Sequence, residues 1–294
     1  MSTARAVQAP AVVVSRSAAD RVAEVWSRLA AVDDPELDES VTELGFVTAV
    51  EVDGGSVSIG FRLPTYWCAA NFAYLMADDM RQAIAALPWV TDITITLDEH
   101  MYAAEINRGV AAGRSFQQTF GNEANGEVED VRRIFLVKAF QRRQEALLSW
   151  LLAQGTEPAM LVRLNMAQLS ALASTSTDDD GKTQRLIARY RERRFVVGRC
   201  IDEAEQTDEP AFIDTEGAPL NPDGLGAYLR ALRRVGVNAE FNGALCRGLL
   251  AARYGESCTP ASAVEIKPVQ FVRTGGSKPG GTFAPPRETR GAAE

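Results

Sequence analysis

The sequence predicts an α+β protein: a small helix–strand–strand–helix–strand domain at residues 17–110, then a mostly α-helical region at 129–273. Apolar residues recur at helical spacing after Ser17 and again after Ala69. Between those stretches, period-two alternation runs from Phe46 to Leu63 and is interrupted by Asp53-Gly54-Gly55. Beyond residue 129 only helical periodicity remains. The length of 294 residues suits roughly two domains at about 100–200 residues each.

Each element has a local cause. Ser17 with Asp20 three residues on forms a capping-box pattern, and Val22, Val25, Trp26 and Leu29 follow as one apolar stripe. Asp33-Asp34-Pro35 ends that helix, because proline biases the preceding residue away from helical geometry. Phe46–Val52 and Ser56–Leu63 read as a hairpin, with Val57, Ile59 and Phe61 on one face and Pro64 closing it. A helix is expected over Ala69–Leu87, with Phe72, Leu75, Met76, Met80 and Ile84 buried, and a strand over Val90–Leu97. The connection through that helix is a crossover, so the second and third strands are expected to run parallel.

The second half reads as helices at Val131–Leu152, Pro158–Ala173 and Thr183–Arg194. Two further stretches, Pro222–Val235 and Asn242–Arg253, are split by Gly236. Residues 113–128 read as a loop. Residues 1–16 and 274–294, which lack periodicity, are expected to be disordered.

Composition narrows the function. The net charge of −8 argues against nucleic acid or an anionic membrane as partner. No apolar run approaches the roughly 18 residues of a membrane span, and no signal-peptide core is present, so a cytoplasmic protein is expected. One histidine and four scattered cysteines, Cys68, Cys200, Cys246 and Cys258, do not make a self-contained zinc or iron-sulfur cage. No Glu-x-x-His pair exists to build a ferritin-like diiron site.

The residues that carry chemistry lie in the first domain. Leu63-Pro64-Thr65-Tyr66-Trp67-Cys68 joins the second strand to the second helix and places a thiol at a helix start. There the unpaired N–H groups and the helix dipole favour an anion, hence the thiolate that binds metal. A buried, inert cysteine is the alternative. Glu36 and Glu43 are candidate metal ligands or partner contacts, and each also has a structural reading, in helix termination and in the Leu44-Gly45 turn. His100, beside Asp98 and Glu99, is a candidate metal ligand or base, or an incidental strand-end residue. The basic runs Arg132, Arg133, Lys138, Arg142, Arg143 and Lys182, Arg185, Arg189, Arg191, Arg193, Arg194 read first as solvated helix faces, with partner docking as the other use.

Over residues 22–97 the order of these signals resembles the PaaD-like metal-sulfur cluster assembly family. Asp34, Pro35, Glu36, Glu43, Leu44, Gly45, Thr65 and Cys68 match its pattern position by position. Ala69 stands where the family usually has proline, and the bulky Tyr66 and Trp67 predict a more occluded loop. The resemblance implies a domain that handles iron or an iron-sulfur cluster transiently, with Cys68 as the functional cysteine. It also implies self-association into a homodimer. By analogy it implies a client metalloenzyme, an iron-containing multicomponent oxygenase among the candidates. The chain is thus expected to be a maturation factor rather than an enzyme. The competing expectation is a scaffold that keeps the fold without metal chemistry.

Overall fold

Ser17 opens the first helix as its sequence demands. Its side chain accepts the Asp20 N–H, and Asp20 returns a bond to the Ser17 N–H, a reciprocal cap worth roughly 1 kcal/mol. The computed structural model describes residues 17–121, 128–176, 180–197 and 208–255. Cys200, Cys258 and the segments 1–16 and 274–294 lie outside them.

Helix α1 (Ala18–Leu29) buries Val25 and Leu29, while Trp26 stays exposed. A short antiparallel pair, β1 (Asp33–Asp34) and β2 (Glu39–Ser40), follows and was not evident in the sequence. Strands β3 (Val47–Asp53) and β4 (Ser56–Arg62) form the expected hairpin. Gly54 takes φ +56°, and a Cβ on Gly55 would stand 2.5 Å from the Thr91 hydroxyl, so both turn positions require glycine. Helix α2 (Ala70–Ala85) crosses over to β5 (Asp92–Asp98). The sheet order is β3-β4-β5, with β4 and β5 parallel as expected. On β4, Val57, Ile59 and Phe61 are fully buried and form one core with α1 and α2.

Parallel pairing decides where the site forms. Arg62 is in register with Asp98, so the chain leaves β4 and β5 side by side. The Cys68 loop and the Glu99-His100 segment therefore meet at one edge of the domain. Helix α3 (Ala103–Ala111) follows, and Asn107 binds both the N–H and the carbonyl of Leu97. The presumed loop at 113–128 contains a short helix, α4 (Phe116–Phe120), opened by a Ser115–Gln118 capping box. Phe116 and Phe120 pack against the first core.

Helix α5 (Val128–Ala153) begins the second core. The stretch expected as one helix from Pro158 is two, α6 (Pro158–Leu161) and α7 (Met166–Thr175), because Asn165 and Gln168 form a fresh capping box. Helix α8 (Lys182–Arg194) packs on α5. Phe140, Leu147, Tyr190 and Phe212 are buried at this centre. Gln144, also buried, donates to the Ile213 carbonyl and meets the Tyr190 hydroxyl at 2.9 Å, so its amide is satisfied.

The two stretches split at Gly236 are in fact one helix, α9 (Leu225–Tyr254), which ends on Gly255 at φ +68°. Each interior glycine costs about 1 kcal/mol, and α9 carries Gly236, Gly243 and Gly248 in its interior, a cost that its packing on two cores offsets. The start of α9 belongs to the second core through Leu225 and Tyr228, and its end belongs to the first through Cys246, Leu250 and Tyr254.

Candidate functional site

Cys68 sits just before the N-terminus of α2, half-buried and without a disulfide. Two side chains fix its loop. The Thr65 hydroxyl lies 3.3 Å from the Cys68 sulfur and accepts the Trp67 N–H at 3.3 Å, which leaves its own proton free to donate to sulfur. His100 is buried, with Nε2 2.8 Å from the Cys68 carbonyl oxygen and Nδ1 accepting the Tyr102 N–H at 3.1 Å. Nδ1 is thus unprotonated, and Nε2 carries the hydrogen that it donates to Cys68. Both ring nitrogens are engaged by backbone, so His100 positions the loop and has no free nitrogen for the Cys68 thiol. The bulky pair does not close the loop as its size suggested. Trp67 is 72% exposed and Tyr66 43% exposed, in edge-to-face contact at 5.0 Å. Met101 beside them is also exposed.

The Asp-Pro-Glu stretch makes a tight turn. Asp34 Oδ1 accepts the N–H groups of Glu36 and Leu37 at 2.9 and 2.8 Å. Burial pushes the Asp34 carboxyl up to about 6, against the pull of those two bonds. Glu36 is half-buried and accepts from the Asn242 amide at 3.0 Å. Glu43 is exposed and makes no hydrogen bond or ion pair among the described residues. Gly45 takes φ +70°, the turn into β3 that its position suggested.

Helix α9 crosses this edge. Asn242, Cys246, Leu250 and Tyr254 recur every fourth residue and so share one face. Along that face, Asn242 reaches Glu36 and Leu250 lies over Gly45. The Tyr254 ring stacks on Arg62 at 3.8 Å, and its hydroxyl donates to Glu99 at 3.1 Å. Arg247 adds a 2.7 Å ion pair to Glu39, and Arg253 one of 2.8 Å to Glu99. Cys246 sits in the middle of this row and packs on the same core as Cys68. Burial pushes its thiol up to about 11, and the neighbouring Asp34, Cys68 and Glu36 add to the rise. Among the described residues no group of three or more His, Cys, Asp or Glu side chains stands ready as a metal cage.

The basic runs prove only partly solvated. Arg143 is buried and grips Asp38 with both prongs, at 2.6 and 2.7 Å. Arg193 binds Asp33 at 2.5 Å, Arg189 donates to the Asp38 carbonyl, and Arg132 holds Asp79 with two bonds of 2.8 Å. Asp38 itself has φ +53°, an uncommon backbone for a non-glycine residue. Opposite charge explains the difference: the acidic β1–β2 turn is the partner that Arg143, Arg189 and Arg193 face, and Asp79 of α2 is the partner of Arg132. A cleft of about 310 Å³ lies beside this contact, lined by Asp33, Asp79, Arg132 and Arg193, and does not include Cys68.

With this geometry in place, residues 22–97 match the family described as iron-sulfur cluster assembly protein. The matched span lies within the N-terminal domain and is about a quarter of the chain. A curated relative, the iron-sulfur cluster carrier protein of Mycobacterium leprae (strain TN), is 34% identical over 84 residues. That match covers 28% of this chain, and the chain spans only 21% of the relative's length. The family match over 22–97 includes Cys68 and Glu36 but none of α5–α9. Cys246, Asn242 and Arg247 were not singled out from the sequence, because no spacing links them to the domain they cover.

Proposed function

We propose that the chain holds iron or an iron-sulfur cluster transiently at Cys68 and passes it to a client metalloenzyme in the cytoplasm. The observation that carries this reading is the setting of Cys68. It is a half-buried thiol at the junction of β4 and α2, with a hydroxyl at its sulfur and a histidine at its carbonyl, inside the family-matched span. The sulfur of Cys68 is the ligand, Thr65 stabilises its charged form, and His100 keeps the loop in place. Glu36 and Glu43 remain the carboxylates closest in sequence pattern to a ligand role, Glu43 from an exposed position. The exposed Tyr66, Trp67 and Met101 form the rim where a client docks. The PaaD-like pattern supports an iron-containing oxygenase as the client class, by analogy alone. No helix of the described residues is long and apolar enough to cross a membrane.

The test is Cys68→Ala in the producing cell, with the client's iron content and activity as readout. Loss of both, with normal levels of the variant chain, is the expected outcome. Normal client iron would overturn the reading. A second reading, a scaffold without metal chemistry, is favoured by the use of Glu36 and Glu39 as internal contacts of α9. It expects Cys68→Ala to be silent and disruption of α5 and α8 to abolish client capture.

A further inference from the structure

We propose that Cys246 is a second thiolate ligand for the cargo held at Cys68, so that the site is built from two cysteines at distant points of the chain. This inference rests on the cargo-carrying reading above and deepens it. Four residues of α9 at a spacing of four face the assembly domain, and three of them meet it directly: Asn242 at Glu36, Leu250 at Gly45, Tyr254 at Arg62 and Glu99. Cys246 is the remaining member, and the groups around it are Cys68, Asp34 and Glu36. The flanking contacts hold α9 with Cys246 on the face turned to the assembly domain, where Cys246 and Cys68 pack on the same core. Both cysteines are half-buried and outside any disulfide, so both thiols are free to ligate.

The chemistry favours a shared cargo. Cluster iron takes thiolate ligands, and soft thiolates select iron-sulfur centres over hard cations. A full cage uses four cysteines. Two thiolates hold a cluster while leaving its other positions to be filled by the receiver, which is what a carrier requires. The nearby carboxylates add negative charge that a cationic iron centre offsets.

The full chain is reconstituted anaerobically with ferrous iron, sulfide and a thiol reductant, then desalted. Iron and sulfide per chain and the visible thiolate-to-iron absorption are measured. Changing an outer-shell partner already costs roughly 10–100-fold in metal affinity, so removing a direct ligand should cost at least that. Cys68→Ala and Cys246→Ala are each expected to lose at least about tenfold in retained iron. Alkylation of loaded wild-type chain, read by peptide mass spectrometry, is expected to find Cys68 and Cys246 both protected; this readout needs no variant to fold. Wild-type iron in Cys246→Ala with loss in Cys68→Ala, or full alkylation of Cys246 in loaded chain, would overturn the second ligand and leave the cargo reading standing. Wild-type iron in both variants, or none in the wild type, would overturn the cargo reading and this inference with it.

Discussion

Helices meet the assembly domain in two places, and the two contacts are built differently. On one side α5 and α8 grip the β1–β2 turn through Arg143 and Asp38, whose side chains are each 6% exposed. On the other, α9 lies over the Cys68 edge through Arg247–Glu39 and Arg253–Glu99, pairs that water reaches at 30%/37% and 27%/60% exposure. A buried bidentate pair, once half of it is removed, leaves a stranded charge. A half-exposed pair is screened and replaceable by water. The first contact is an anchor held by buried charge, and the second is a cover held by exposed pairs around the buried Leu250.

The contrast can be broken most forcefully at the anchor. Asp38→Ala takes the bidentate partner from the buried Arg143 guanidinium, which keeps Glu192 at 2.6 Å and Asp33 at 3.3 Å, and is expected to cost about 3 kcal/mol, the low end for a broken buried pair, measured by urea denaturation. A loss below about 1 kcal/mol would show that water satisfies Arg143 and that the anchor is no firmer than the cover.

A smaller effect of opposite sign is expected at Asp34, beneath the cover. Its folded value of about 6 lies above the 3.8 of the free side chain. The folded chain therefore keeps a proton that the unfolded chain has lost between those values. The stability at this site is complete below about pH 4 and is lost as pH rises through 6. Asp34→Asn keeps an oxygen for the Glu36 and Leu37 N–H groups and removes the buried charge. It is expected to raise stability at pH 7 by about 1–3 kcal/mol, at roughly 1.4 kcal/mol per pKa unit, and to flatten the melting-temperature profile between pH 4 and 6. An unchanged profile would mean that the Asp34 carboxylate is not desolvated.

The smallest effect sharpens the idea of a cover. Arg247→Ala is expected to cost at most about 1 kcal/mol of global stability. The same energy removed from local opening raises the open population up to about fivefold. Alkylation of Cys68 should speed up accordingly, while the Asp38→Ala defect should not be reproduced. An unaltered alkylation rate would show that Arg247 does not restrain the edge.

Local signals were readable in advance and long-range ones were not. The Ser17–Asp20 cap, the Asp53-Gly54-Gly55 turn and the parallel crossover each rest on neighbouring residues, and each is present. Cys68 was legible because strand, loop and helix are consecutive around it. The fates of Arg143, Arg193 and Arg247 were not, since a run of positive charge does not state which carboxylate it will face. Gly236 misled for a related reason: its local cost is real, but α9 is held by two separate cores. The histidine was read from its acidic neighbours Asp98 and Glu99, whereas its bonds go to the backbone of Cys68 and Tyr102.

The bond between Asn242 and Glu36 spans 206 residues of chain. During synthesis, Glu36 and Cys68 emerge long before the helix that will lie over them. At about 5–20 residues per second, the interval for those 206 residues is roughly 10–40 s. Each newly made molecule thus passes through a stage in which its assembly domain is exposed and its cysteine has no lid.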